Sequence, residues 1–173
     1  MSPRIRAARP DDGPLLQEIE RRAGLQFREV GMREIAEDDP PSLDVLTGYA
    51  DAGRSWVAAD DSDRPLGYVV VDVVDGCAHI EQVSVDPGAQ RSGIGRGLLD
   101  HARAWATAEH LDAVTLTTFR DVPWNAPLYR HLGFRDLDQA TLGPELRAVR
   151  DDEAAHGLDP ATRVCMRAEL DNR

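Results

Sequence analysis

Hydrophobic and polar residues recur along this chain with the spacings of amphipathic helices and short strands. Apolar positions at helical spacing predict a first helix: Leu15, Leu16, Ile19, Ala23 and Phe27. Short apolar runs rich in β-branched residues predict strands over 4–8, 56–59, 66–74, 78–85, 113–119 and 162–170. Capping and stop residues predict further helices over 42–52, 93–109 and 125–133, and residues 138–158 are helical or irregular.

Length and charge limit the classes of protein to which this chain can belong. The 173 residues suit one domain with a sizeable core. A net charge of −11 argues against nucleic acid as a partner, because nucleic-acid binding depends on neutralising phosphates. The same charge serves either solubility or the attraction of cationic acceptors such as amines.

Membrane insertion and secretion are not expected from this sequence. No apolar run approaches the ~20 residues that a transmembrane helix needs. Residues 1–6 lack the apolar core of a signal peptide. Cys77 and Cys165 are too few for a disulfide framework. We therefore expect a cytoplasmic protein without membrane contact.

The segment from Val83 to Leu99 has the composition of an anion-binding turn. A V-x-V strand is followed by a glycine-rich turn at Gly93 and Gly95 and then by an amphipathic helix. A helix N-terminus carries unpaired N–H groups and a partial positive charge, so it favours phosphate. Arg91 and Arg96 can add cationic hydrogen bonds. The segment predicts a pyrophosphate site.

Two common phosphate loops do not fit this turn. The chain contains no lysine, which the P-loop requires, and Leu98 occupies the place of the third glycine in the dinucleotide pattern. The run Gln90-Arg91-Ser92-Gly93-Ile94-Gly95 instead resembles the Q/R-x-x-G-x-G/A acyl-CoA motif of the GNAT superfamily of N-acetyltransferases. A structural glycine turn without a ligand is the alternative interpretation.

A second motif, about 35 residues further on, strengthens this resemblance. The run Leu128-Tyr129-Arg130-His131-Leu132-Gly133-Phe134 is similar to the L-Y-x-x-L-G-F pattern of GNAT proteins. The resemblance covers residues 55–136 and implies an α/β (α+β) GNAT fold. That fold has a mixed, mostly antiparallel central sheet of roughly six or seven strands, flanked by roughly four or five helices.

The resemblance implies an enzyme that transfers acetyl from acetyl-CoA to an amine by direct attack. Strand alternation places His79 and Glu81 on one face, where arylalkylamine N-acetyltransferases carry two histidines, so either residue could take the amine proton. Alternatively, His79 only closes a strand-end hydrogen bond and Glu81 pairs with an arginine. Tyr129 is implied as a hydrogen-bond donor to the leaving thiolate, and the alternative is an aromatic side chain packed under the short helix.

Acetyl-CoA contacts are implied along both motifs. The backbone of Val83, Ser84 and Val85 would contact the pantetheine arm and the oxyanion. The pyrophosphate would lie on the turn formed by Gln90, Arg91, Ser92, Gly93, Ile94, Gly95 and Arg96. Many family members carry an asparagine seven residues before the tyrosine, where this chain has Val122. Asn125 therefore either caps the short helix or replaces the missing contact.

The resemblance also implies which residues surround the acceptor. The resemblance implies that Trp124 lines the acceptor side and that Phe27, Glu29 and Met32 form the opposite wall, although Trp124 could simply cover the core. We expect a primary amine of a small molecule. The alternatives are a protein lysine or N-terminus, and a non-catalytic acyl-CoA-binding module.

The five histidines show no metal-ligand spacing, so no catalytic metal is expected. Family members often dimerise, so a homodimer is possible.

Overall fold

The computed structural model describes residues 3–171. Met1, Ser2, Asn172 and Arg173 lie outside the described residues. The prediction that residues 1–6 lack the apolar core of a signal peptide therefore falls partly outside them. The chain divides into two compact units. The first consists of Met1–Val71 and Gln82–His101, and the second of Asp72–Glu81 and Ala102–Arg173.

Seven strands form one mixed sheet in the order β1-β2-β3-β4-β5-β7-β6. Their bounds are β1 Arg4–Ala7, β2 Ser55–Ala59, β3 Pro65–Val74, β4 Cys77–Val85, β5 Ala113–Phe119, β6 Arg135–Asp136 and β7 Arg163–Glu169. The β4–β5 pair is parallel, whereas the pairs β1–β2, β2–β3, β5–β7 and β6–β7 are antiparallel. The predicted fold class, a mixed and mostly antiparallel sheet, is confirmed.

Six helices accompany these strands within residues 3–171. Their bounds are α1 Gly13–Gly24, α2 Arg33–Ala36, α3 Leu43–Asp51, α4 Ile94–Ala108, α5 Ala126–His131 and α6 Pro144–Ala155. The Ser42 side chain caps α3 as predicted, because its hydroxyl accepts a hydrogen bond from the Val45 amide at 3.2 Å.

In the first unit, helices pack on both faces of the sheet. Leu16 and Ile19 of α1 and Leu46 of α3 join Val57 and Tyr68 in a buried cluster. A Cβ at the neighbouring residue Gly67 would point to the other face of the sheet, towards Ile94 and Leu98 of α4. The first turns of α4 therefore lie on the face opposite α1 and α3.

In the second unit, β5 is a central strand. It pairs in parallel with β4 through Ala78–Ile80, and antiparallel with β7 along its whole length from Ala113 to Phe119. Helix α6 covers one face through a small cluster of Val74, Leu142, Leu146 and Cys165.

Two elements differ from the sequence-based expectation. The first helix ends at Gly24 and continues as a 3₁₀-helix over Leu25–Val30, because glycine weakens an α-helix and tighter turns are common at helix ends. Strand β6 spans only Arg135–Asp136, which is too short for alternation to be visible in the sequence.

The close packing at Gly67 gives a stability prediction. A Cβ there would lie 2.9 Å from the Ser84 carbonyl oxygen and 3.1 Å from Ile94 Cγ2. We expect Gly67→Ala to lower the free energy of unfolding by about 1–3 kcal/mol, measured by urea unfolding. The matched control is Gly48→Ala in α3, where a Cβ meets nothing within 4 Å. That change should raise stability by about 0.5–1 kcal/mol. A Gly67→Ala variant as stable as wild type would contradict the packing.

Candidate active site

The glycine turn leads from the end of β4 into α4. Asp86 follows the strand, and its Oδ1 accepts a hydrogen bond from the Gly88 amide at 2.9 Å. Arg91 and Gly93 both have left-handed backbones, with φ values of 64° and 81°. Glycine at position 93 is thus explained by conformation, since a Cβ there would meet nothing within 4 Å. Helix α4 then begins at Ile94.

The cationic and small residues predicted to bind pyrophosphate surround this helix start. Arg91, Ser92, Gly93 and Arg96 are exposed, whereas Ile94 is buried. The Ser92 hydroxyl donates a hydrogen bond to the Ala89 carbonyl. Arg96 Nε lies 4.0 Å from Oδ2 of Asp100, which is one helical turn further along α4. A Cβ at Gly95 would make only an ordinary contact with Val85 Cγ2 at 3.7 Å, which agrees with a motif position that admits Gly or Ala.

Two contacts anchor the turn to the helical segment at the start of the chain. Gln90 Oε1 accepts a hydrogen bond from Gln26 Nε2 at 2.6 Å, and Gln90 Nε2 donates to the Val85 carbonyl at 3.4 Å. Arg22 pairs with Asp86 at 2.8 Å. The strand end, the turn and the segment after α1 are therefore held together around Gln90.

The parallel pairing of β4 with β5 covers only Ala78–Ile80, opposite Val114–Leu116. Glu81 is the first residue of β4 after this pairing, and its side chain is exposed. The parallel ladder thus ends directly before a carboxylate.

The pKa of Glu81 is raised to about 7. The largest cause is desolvation, because protein atoms crowd the carboxyl even though part of its surface reaches solvent. The negative charges of Asp72, Glu153 and Asp152 raise the pKa further, and Arg163 opposes them. A carboxyl with such a pKa can accept a proton near neutral pH.

Arg163 and Glu153 form an ordered pair close to this carboxyl. Arg163 Nη2 lies 3.0 Å from Glu153 Oε2 and 3.1 Å from Thr117 Oγ1, and Thr117 also donates to Glu153 at 2.9 Å. The guanidinium carbon lies 4.5 Å from the centre of the Phe119 ring. Two of the four charges that act on Glu81, those of Glu153 and Arg163, are thus held in position by these contacts.

His79 is buried, with 1% of its surface exposed. Its Nδ1 lies 2.9 Å from Thr115 Oγ1, the residue paired with it in the parallel ladder. Burial lowers the pKa of His79, so the neutral imidazole is favoured. This geometry agrees with the alternative of a strand hydrogen bond, and the catalytic role predicted for His79 stays a prediction.

Tyr129 and Asn125 lie on the short helix α5 and at its N-terminus. Tyr129 is partly buried, its ring packs edge-on against Phe134 at 5.8 Å, and burial raises its pKa to about 12. Asn125 occupies the N-cap position, but its side chain makes no capping hydrogen bond. Among the described residues, Asn125 Oδ1 is buried and has no hydrogen-bond partner. The second alternative for Asn125, a contact to a ligand, fits this unsatisfied acceptor better than capping does.

The predicted acceptor residues lie in loops and 3₁₀ turns. Phe27 and Met32 are partly buried and joined through a backbone hydrogen bond of 2.9 Å, and Glu29 is exposed. Trp124 is partly buried in the other unit. Their roles remain predictions.

Residues 3–171 contain neither a metal-binding cluster nor a helix that could cross a membrane. No group of three or more His, Cys, Asp or Glu is arranged to hold an ion in this range. Each of its helices is too short or too polar to span a bilayer.

Sequence reasoning missed Glu20, Glu153 and Arg163. Glu20 follows Leu16 by four residues, so a carboxylate on the buried stripe of the first helix was a visible signal. Glu153 and Arg163 meet only because α6 packs beside β7, and no local pattern reveals that approach.

The glycine turn at the start of α4 and the tyrosine on the short helix α5 are the two features that the resemblance to GNAT proteins implies. The family model described as "Acetyltransferase (GNAT) family" matches residues 16–134. This chain belongs to the GNAT family of acetyltransferases.

Two solved structures have a fold similar to that of this chain. An acetyltransferase of the GNAT family from Staphylococcus aureus Mu50 has a similar structure, with a TM-score of 0.73, 19% identity, and 96% of this chain and 98% of that chain covered. The PaiA N-acetyltransferase from Thermoplasma acidophilum, solved with coenzyme A, has a TM-score of 0.69 and 18% identity, with 98% and 100% covered. At these identities the likeness shows the fold.

One curated relative is similar in sequence over a shorter stretch. The peptidyl-lysine N-acetyltransferase YjaB of Escherichia coli K12 is 27% identical over 63 residues. The match spans 36% of this chain and 40% of that relative, less than half the length of either.

The raised pKa of Glu81 predicts how stability depends on pH. Between the unperturbed value of 4.5 and about 7, the folded protein keeps a proton that the unfolded chain has lost. The free energy of unfolding should therefore fall as pH rises through this window. We expect Glu81→Gln to be more stable than wild type at pH 8 and nearly equal to it at pH 4, measured by thermal unfolding. Glu18→Gln, at an exposed position of α1, is the control. Equal differences at both pH values would contradict the raised pKa.

Proposed function

We propose that this protein transfers the acetyl group of acetyl-CoA to a primary amine of a small molecule by direct attack. The amine nitrogen bonds to the acetyl carbon, the carbon–sulfur bond breaks, and the thiolate leaves. The amine loses one proton and the thiolate finally gains one. The observation that carries the proposal is a carboxyl with a pKa of about 7 directly after the end of the parallel ladder.

Glu81 is the proposed proton acceptor. A free alkylamine has a pKa of about 10, so it must lose a proton before it can attack. Above pH 7 the Glu81 carboxyl is mainly ionised and can take this proton directly or through water. The surrounding negative charges of Asp72, Glu153 and Asp152 also favour a cationic ammonium group. The buried, hydrogen-bonded His79 is less suited to this step.

Tyr129 is the proposed partner of the leaving thiolate. With a pKa of about 12 its phenol is a much weaker acid than a thiol at about 8.5, so full proton transfer is uphill. The phenol stays protonated and can stabilise the developing negative charge on sulfur by donating a hydrogen bond.

The acetyl donor is expected to lie along β4 and the glycine turn. The PaiA neighbour was solved with coenzyme A, and the exposed turn before α4 suits a pyrophosphate. The backbone of Val83, Ser84 and Val85 would contact the pantetheine arm and the acetyl oxygen. Asn125 Oδ1, a buried acceptor without a partner among the described residues, would accept a hydrogen bond from that arm.

A peptide lysine is the second candidate acceptor. The likeness to YjaB, named as a peptidyl-lysine N-acetyltransferase, favours it. The groups proposed for chemistry are the same in both cases, because either acceptor presents a primary amine. The residues predicted from the sequence to contact the acceptor would decide between a small amine and a peptide lysine. They are Phe27, Glu29, Met32 and Trp124.

We also propose a single catalytic domain and a cytoplasmic location. The family match over residues 16–134 includes segments of both compact units, which supports one domain. Cys77 and Cys165 are buried as free thiols, which suits a reducing compartment.

The pH dependence of activity tests the role of Glu81. We expect kcat/KM for acetyl transfer to rise with pH around an apparent pKa of about 7, because only the ionised carboxyl accepts a proton. Glu81→Gln should lower kcat by about 10²–10⁴-fold and abolish this step in the pH profile. Steady-state kinetics with detection of released thiol measures both. Glu18→Gln should retain the wild-type profile, and a Glu81→Gln enzyme of wild-type activity would overturn the assignment.

Competition between acceptor classes tests the nature of the substrate. We expect kcat/KM for a panel of small primary amines to exceed that for lysine-containing and N-terminal peptides at equal amine concentration. A preference for peptides would contradict the small-molecule proposal and favour the lysine alternative. Binding of acetyl-CoA without transfer to any amine would favour a non-catalytic module.

A further inference from the structure

A chain of four hydrogen-bonded side chains links α1 to the last residues of β4. Gln82 Nε2 donates to Ser84 Oγ at 2.9 Å, and the Ser84 hydroxyl donates to Glu20 Oε2 at 2.5 Å. The Tyr68 hydroxyl donates to the same carboxylate oxygen at 3.0 Å. All four residues belong to the first compact unit.

The Glu20 carboxylate lies in surroundings that would suit an apolar side chain. Tyr68 is fully buried, Ser84 is 7% exposed, and Leu16 and Ile19 flank Glu20 on the buried stripe of α1. Burial raises the pKa of Glu20, and its two hydroxyl donors counteract that rise. Burying a carboxylate is costly, and a hydrophobic residue is often at least as stable in such a place. Stability alone therefore does not account for Glu20.

Ser84 is the residue of β4 on which these contacts converge. Its hydroxyl accepts from Gln82 and donates to Glu20, so its side-chain orientation is fixed on both sides. Its carbonyl oxygen packs so closely against Gly67 that a Cβ there would lie 2.9 Å away. Backbone and side chain of Ser84 are thus both held, between the two valines expected to contact the acyl donor.

We propose that Glu20 is a positioning residue for acetyl transfer. By accepting the hydrogen bond of Ser84, its carboxylate holds the backbone of Val83 and Val85 in the geometry that the acetyl and pantetheine groups require. This inference rests on the proposed function, in which that backbone contacts acetyl-CoA. Glu20 acts through Ser84 and does not itself touch the substrate.

The proposed role requires a hydrogen-bond acceptor at position 20 and no negative charge. A glutamine can accept the Ser84 hydrogen bond through its amide oxygen, whereas alanine cannot. We therefore expect Glu20→Gln to keep most of the wild-type kcat. Glu20→Ala and Ser84→Ala should each lower kcat by about 10–100-fold, as expected for a misplaced reaction partner. The double variant should be little worse than either single variant, because both remove the same link.

Tyr68→Phe is the matched control. It removes the other hydrogen bond to the same Glu20 oxygen and leaves the contact with β4 in place. We expect its kcat to stay within about twofold of wild type once folding is verified by thermal unfolding, because surplus hydrogen bonds contribute modestly.

Hydrogen–deuterium exchange of the free protein gives a readout that does not depend on activity. Glu20→Ala and Ser84→Ala should speed exchange in a peptide covering residues 82–86, whereas Tyr68→Phe and Glu20→Gln should not. A Ser84→Ala variant that shows wild-type exchange rates in this peptide and a wild-type kcat would overturn the inference. Equal loss of kcat in Glu20→Gln and Glu20→Ala would also overturn it, since a charge or proton acceptor would then be needed. A wild-type protein without acetyl transfer would instead refute the proposed function, while exchange would still decide whether Glu20 orders β4.

Discussion

The parallel pairing of β4 with β5 extends over only three residues of each strand, and the proposed chemistry depends on where it stops. Beyond the last pair, the backbone groups of β4 that face β5 are no longer committed to that strand. His79 lies within the ladder and is buried and bonded to Thr115. Glu81 lies just past it and is exposed. Two positions of one strand thus have different surroundings.

The surroundings of Glu81 convert an ordinary carboxyl into one that titrates near neutral pH. Desolvation makes the largest contribution, and three negative charges add to it. Arg163 works in the opposite direction, but it is engaged with Glu153, Thr117 and the Phe119 ring. A buried or crowded acid that destabilises the folded state is common where the same group takes part in catalysis.

Local sequence patterns predicted most of the strands and helices and several residues of the candidate site. The strand starting at Ala113 and the helix capped by Ser42 follow from periodicity and capping alone, and the left-handed turn at Gly93 agrees with the glycine motif. The approach of Glu153 and Arg163 to Glu81 and the link from Glu20 to Ser84 arise from elements that are far apart in the sequence. No spacing along the chain encodes such contacts, although a carboxylate on an apolar helix stripe hints at one.

Recognition of acetyl-CoA is proposed to depend on the glycine turn before α4. The most direct test is calorimetric titration of acetyl-CoA into the wild type and into an Arg91→Glu, Gly93→Asp double variant, each verified as folded. We expect saturable one-site binding to the wild type and loss of binding in the variant, because the variant adds two acidic side chains and removes a left-handed glycine from the turn. A folded wild type that binds no acetyl-CoA, or a variant that binds it equally well, would contradict the account.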